Sequence, residues 1–384
     1  MKKILSKIKE IPAMLRKVPK MWYLVIGLAI ILVAALILCF VLIGKEKQQP
    51  EPTTVPTTTA PVETTEESVP ETTEAKELRH PLNGELLEEP FVGRTVAVVT
   101  PNDSAALPQH GLSNADVIYE IEAEGGVTRC LTLYTDLSFE EKIGPIRSSR
   151  TYFNNVAVSY NAPIVHCGGS PGGRKGRYDD SGTKIKKWQH IDEMANYGYF
   201  YRDSDRSSAG YAYEYTLFTK GEKLIACMRE KKYKTKATDV DYGFSFNEMP
   251  EIVGGADASA VTVAFRGYKK TYMTLNSETG LYEGYQLGRN WVDGNTNEVL
   301  AFRNLIVLKA QQWHDNENYR TYYDLIGEGE GYYACDGKII PIKWTREKLK
   351  GPFSYTDMEG NPITLGVGKT YVALTSLEGT VTYN

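Results

Sequence analysis

Cysteine is scarce in this chain, with five in 384 residues. Cys39 lies in an apolar run, and Cys130, Cys167, Cys227 and Cys335 are scattered with none of the short spacings that metal sites use. An even number outside a cell permits two disulfides in three connectivities, and four buried thiols fit the spacing equally well. There is no Walker phosphate loop and no His-Glu-x-x-His pair, so no metal or cofactor is implied. Gly168-Gly169-Ser170-Pro171-Gly172 has the letters of a nucleophile elbow or an anion loop, but no helix clearly follows it to supply the required geometry. An excess of positive charge is missing too. The chain carries a net −4 and residues 78–384 alone carry −5, which removes the electrostatic case for nucleic-acid binding. No long internal repeat occurs.

What the chain does have begins with Leu24 to Ile43, a run of twenty uncharged, mostly apolar residues. At about 1.5 Å per residue a helix of that length spans a bilayer core. Lys2, Lys3, Lys7, Lys9, Arg16, Lys17 and Lys20 precede it against a single Glu10. This asymmetry keeps residues 1–23 cytoplasmic and sends the chain outward after a transmembrane helix at 24–44. The run is too long for a cleaved leader and lacks a small-residue cleavage site. Leu36, Ile37 and Leu38 before Cys39 are also too large for a lipoprotein signal, so the pattern is that of an uncleaved signal anchor in the cell membrane. From Glu46 to Glu77 there are nine Thr, five Pro and eight Glu, a composition that favours an extended, disordered stalk over 45–77. Its threonines leave glycosylation open.

Residues 78–384 have a globular composition. Thr95–Thr100, Asp116–Ile121 and Val127–Tyr134 have strand patterns, Ser148–Tyr160 a helical one capped by Ser148 or Ser149, and Ala162–His166 that of a short buried strand. Leu217–Lys231 is amphipathic and reads as helix. Beyond residue 240, short strands recur about every ten residues between turns such as Asp293-Gly294 and Asp336-Gly337. The expected fold is α+β or mixed α/β: an N-terminal α/β half over 78–240 and a mostly antiparallel β half over 241–384.

The sharpest chemical feature is Gly144-Pro145-Ile146-Arg147-Ser148-Ser149-Arg150. A turn into a helix start would gather Arg147, Arg150 and unpaired backbone N–H groups, a setting that attracts anions. Cations at that end oppose the helix dipole and need a negative partner. Either Glu120, Glu122 or Glu124 supplies it internally, or a ligand does. Arg129, His166, Gly169 and Ser170 complete the candidate set with Arg147, Arg150, Glu120 and Glu124. His166 and Asp192 also suit structural roles, and Arg202, Asp203, Asp205 and Arg206 read as a solvated charged loop.

With these residues in view, the chain resembles the YerB-like family of extracytoplasmic bacterial proteins, a pair of domains of unknown function. The resemblance runs through Pro81–Gly84, Gly111–Glu120, Glu124–Arg129, Ile143–Arg150 and His166–Pro171, then Asn304–Val307, Gly327–Gly331, Asp336–Trp344 and Gly366–Tyr371. It implies paired domains and no known reaction. Two departures stand out: an anchor and stalk replace the lipoprotein attachment, and Tyr211–Thr216 (YAYEYT) replaces a Pro-His-Asn step. Two functions follow as expectations. One is an envelope module binding an anionic cell-wall polymer or a protein partner near Arg147 and Arg150. The other, by likeness of layout to LytR-type transferases, is an enzyme of phosphorylated glycopolymer intermediates, with acids near Glu120 and Glu124 holding magnesium.

Overall fold

Alternation fails where both faces of a strand are covered, and the central strands of this chain show it. Val96–Asn102 (β1) and Val117–Glu122 (β2) are buried at every residue, and Thr128–Tyr134 (β3) at all but one. A computed structural model describes residues 77–170, 189–237, 241–314 and 319–384. The transmembrane and stalk assignments and most of the glycine-rich loop lie outside those residues. Among the described residues no helix is long and apolar enough to cross a membrane.

After β3 the chain forms one nine-residue helix, Thr151–Ser159 (α1), then two short strands, Ile164–His166 (β4) and His190–Asp192 (β5). Leu217–Lys220 (β6) leads directly into the helix Gly221–Glu230 (α2). The rest is strand: Ala260–Ala264 (β7), Lys270–Asn276 (β8), Leu281–Gln286 (β9), Asn304–Ala310 (β10), Gly327–Cys335 (β11), Lys338–Arg346 (β12), Thr370–Ser376 (β13) and Thr380–Tyr383 (β14), with shorter pieces between them.

The large mixed sheet runs β12-β11-β10-β13-β2-β3-β1-β4-β5. β13 is parallel to both β10 and β2, matching Ile306 with Val372 on one side and Tyr119 with Val372 on the other. β1, β4 and β5 are parallel neighbours at the far edge. A second, antiparallel sheet is built around β9-β8-β7-β14. Side chains of the large sheet divide by the strand period of two. Ala97, Val99, Val117, Tyr119 and Ile121 join Phe153 and Val156 of α1 in one core. Val96, Val98 and Ile118 join Val261 and Met273 of the second sheet and Leu224 of α2 in the other.

Two expectations change, and one alternative left open is closed. The C-terminal half is mostly antiparallel, but it does not simply follow an α/β half. Its strands β10 to β13 continue the same sheet, because β13 pairs along β2. Leu217–Lys231 is not one helix: residues 217–220 pair with Lys142–Ile143 and with Tyr201–Arg202, so sheet hydrogen bonds override the helical periodicity there. Cys130, Cys167, Cys227 and Cys335 are all free thiols.

Candidate functional site

The stretch from Gly144 to Ser149 is an extended strap across the exit of β1 and β4. Arg147 N donates to Val99 O at 2.8 Å, Cys167 N to Arg147 O at 3.1 Å, and Ser149 N to Gly168 O at 3.1 Å. Ile146 N donates to Leu217 O at 2.8 Å on the other side. These sheet-like bonds use the backbone groups that an early helix start would have left unpaired, so α1 begins only at Thr151. Its N-cap residue is Arg150, in extended conformation with no side-chain cap, rather than Ser148 or Ser149. Ser149 Oγ instead donates to Asn154 Oδ1 at 2.9 Å.

The two arginines therefore part company. Arg150 is buried, and its guanidinium grips Glu124 two-pronged, Nε to Oε1 at 2.7 Å and Nη2 to Oε2 at 2.9 Å. Burial pushes the Glu124 carboxyl up, but the Arg150 contacts outweigh it and hold the group below its ordinary value. Arg129 lies beside this pair and donates to Ser148 O at 2.6 Å; burial and the neighbouring Arg150 lower it to about 10. Internal pairing is the outcome for Arg150 and Glu124.

Glu120 goes elsewhere. Strand alternation turns it away from Tyr119 and Ile121 toward the second sheet, where it is fully buried. Thr128 Oγ1, Asn102 Nδ2, Thr271 Oγ1 and Tyr371 OH donate to it at 2.6 to 2.9 Å, and the Lys269 ammonium stands 3.3 Å away. A carboxylate with that many partners is satisfied within the protein.

His166 is sealed as well. Its Nδ1 lies 2.8 Å from Gly168 O, which can only accept, so Nδ1 carries the proton and Nε2 accepts from His190 Nδ1 at 2.8 Å. Burial, then the neighbouring His166, pushes His190 down to about 3. Asp192, at the end of β5, accepts from Gly168 N at 2.8 Å and caps the next turn through Met194 N. Gly169 bridges to Ser149, and Ser170 is buried, its N–H donating to Ser149 O. The glycine-rich loop is thus pinned to the strap at its start.

Arg147 alone of the candidate cations faces an open space. A pocket of about 200 Å³ is lined by Arg147, Ser148, Cys167, Arg202, Tyr213 and Glu214 over a floor of Ile146 and Leu217. Arg147 makes one contact to Glu214, Nη2 to Oε1 at 3.4 Å, and its guanidinium lies over the Tyr215 ring at 5.4 Å. Arg202 stacks on Tyr213 at 3.7 Å and donates to Tyr213 O at 2.7 Å. Burial, together with its 3.4 Å contact to Glu193, raises the Cys167 thiol to about 12, which disfavours the thiolate form. A larger pocket of about 350 Å³ near Lys369 mixes Glu85 and Glu298 with Arg303, so its charges offset one another. Among the described residues, no three His, Cys, Asp or Glu side chains gather as metal ligands.

The sequence reading missed Arg202, Tyr213 and Glu214 as site residues. The available signal was YAYEYT itself, the stretch that departs from the family pattern and supplies two of them. The reading of 202–206 as a solvated loop is also corrected. Asp203 caps the short helix Ser204–Ser208 and is buried with Arg206, whose guanidinium donates to Ala106 O and Pro108 O.

Fold and site define an outward-opening cationic pocket at the parallel edge of a mixed sheet shared by two sequence halves. The chain belongs to the DUF3048 family of proteins of unknown function, matching its N-terminal domain over residues 82–234 and its C-terminal domain over 261–372. It is 26% identical over 287 residues to "Putative lipoprotein YerB" of Bacillus subtilis (strain 168), covering 72% of this chain and 80% of that one. The crystal structure of the YerB protein from Bacillus subtilis shares the fold, with a TM-score of 0.66 at 23% identity over 80% of this chain and all of that one.

Proposed function

We propose that the protein is a membrane-tethered module of the cell envelope whose folded domain binds an anionic group in the Arg147–Arg202 pocket. The basic N-terminus before an apolar run of bilayer length supports a single-pass anchor with the domain outside, and the lipoprotein name of the relative supports membrane attachment. An anionic wall polymer or an envelope protein is the partner this location offers.

The observation that carries the binding reading is the contrast between two arginines. Arg150 is saturated by a two-pronged carboxylate in a buried setting, whereas Arg147 keeps a single 3.4 Å contact to a carboxylate that is itself half-exposed. A guanidinium fork left mostly uncommitted, beside a second guanidinium, suits a phosphate or carboxylate ligand. The transferase alternative would use Glu120 and Glu124 to hold magnesium. Glu120 is surrounded by protein donors and Glu124 is gripped by Arg150, so these contacts favour binding over that chemistry.

The test is thermal melting of the detergent-solubilised full chain with and without inorganic phosphate. Phosphate should raise the Tm of the native protein and of Arg150→Ala, which is less stable at baseline, while Arg147→Ala loses the phosphate increment. An equal increment in native protein and Arg147→Ala would refute the pocket.

A further inference from the structure

The turn Tyr213–Tyr215 places an exposed carboxylate between two tyrosines, and each tyrosine carries one of the pocket's arginines. Arg202 covers the Tyr213 ring and bonds its carbonyl, and Arg147 lies over Tyr215 while reaching Glu214. The ring contacts, close for Arg202 and looser for Arg147, hold both guanidiniums at the turn before any ligand arrives, which lowers the ordering that binding requires. Glu214 is the weak member. Its side chain is 49% exposed, and among the described residues its one ion pair is the 3.4 Å contact, too long for a strong charge-assisted bond. It neutralises Arg147 without saturating it.

Tyr213 is 72% exposed although Arg202 lies over it, so a pinned aromatic ring stands at the mouth of an anion pocket. Such a ring offers a flat apolar surface at low ordering cost. Beneath it Ile146 and Leu217 are apolar but almost wholly covered, so the ring is the apolar surface a ligand meets. A bare inorganic anion would not use that surface. A ligand that joins a phosphate to a ring with apolar C–H faces does.

Resting on the anion-binding reading above, we propose that the pocket's ligand is a phosphorylated saccharide unit and that Glu214 is a built-in competitor for its phosphate. On binding, the phosphate takes the Arg147 fork, Glu214 swings into solvent, and the sugar ring lies against Tyr213. The carboxylate thus sets a threshold that only an anion able to engage both arginines passes.

The experiment is calorimetric titration of the detergent-solubilised full chain with three probes: inorganic phosphate, glucose 1-phosphate and glucose. Glucose 1-phosphate should bind more tightly than phosphate, and glucose alone should not bind measurably. Glu214→Gln should tighten both phosphate probes about two- to fivefold by removing a like charge. Tyr213→Ala, which removes both the sugar-facing ring and the ring beneath Arg202, should weaken glucose 1-phosphate more than phosphate and so abolish the preference between them. Unchanged affinities in Glu214→Gln, or no preference for the sugar phosphate, would overturn this proposal while phosphate binding dependent on Arg147 still stood. Phosphate binding that survives Arg147→Ala unaltered would instead overturn the anion-binding reading itself.

Discussion

Glu122 and Glu120 sit two residues apart on β2, face the same side and meet different fates. Glu120 is ringed by donors and a lysine, and its bonds reach β1, β3, β8 and β13, so it fastens the second sheet to the first. Glu122 is also buried, but it has far fewer partners: Arg266 N donates to it at 3.0 Å and the Gln312 side chain lies within reach. Burial raises its pKa from 4.5 to about 7, against the pull of Arg266 and Gln312 and with a small push from Glu378. Between those two values the folded protein holds a proton that the unfolded chain has lost. Stability should therefore fall as pH rises through that window, by on the order of 1 to 3 kcal/mol. Glu122→Gln keeps an acceptor for Arg266 and removes the titration, so urea unfolding at pH 5 and pH 8 should show a smaller decline in the variant. Identical declines would mean that Glu122 does not titrate in this range. His190, held neutral by burial, contributes the opposite slope below its ordinary pKa of 6.5, and comparing variant with native protein cancels that part.

Elements were legible wherever local pattern and tertiary environment agree. The strands of both halves and the helix after the Arg-rich strap follow from β-branched runs, turn residues and helical spacing, within a few residues at their ends. The failures share a cause. Residues 217–220 carry a helical pattern, yet they are held between two short strands, and the chain can enter α2 only through Gly221. A Cβ at that glycine would lie 2.0 Å from Leu137 O, a backbone atom that cannot yield cheaply. Gly221→Ala should therefore cost about 1 to 3 kcal/mol despite alanine's better helix propensity, read as a shift in the urea midpoint. A gain in stability would show that the strand-to-helix junction relaxes. At the site, the arginine strap was legible as a cationic segment, but its helical start was not real. Which arginine stayed open depended on Glu124 and on the distant turn 213–215, and no spacing rule connects those to residue 147.

For the whole molecule, the two halves seen in composition, and matched separately at 82–234 and 261–372, interlock rather than adjoin. β13 lies between β10 and β2 and is buried at every position, so each half alone exposes a long apolar strand edge. Residues 77–240 expressed alone should show weak secondary structure and rapid proteolysis, and recover protection when mixed with 241–384. A stable, protease-resistant fragment 77–240 would show that the shared strand is dispensable.

The position of β13 in the chain also sets an order of events at the ribosome. β2 emerges early and must wait, with one edge unpaired, through the synthesis of nearly the whole second half before Thr370–Ser376 arrives to cover it. Its partner contacts are among the most distant in sequence, and such closures are slow because loop entropy is paid before any contact repays it. The nascent chain therefore cannot lock its central sheet piece by piece, and a ribosome stalled anywhere before Thr370 leaves a product with an open sheet edge for chaperones or proteases to find.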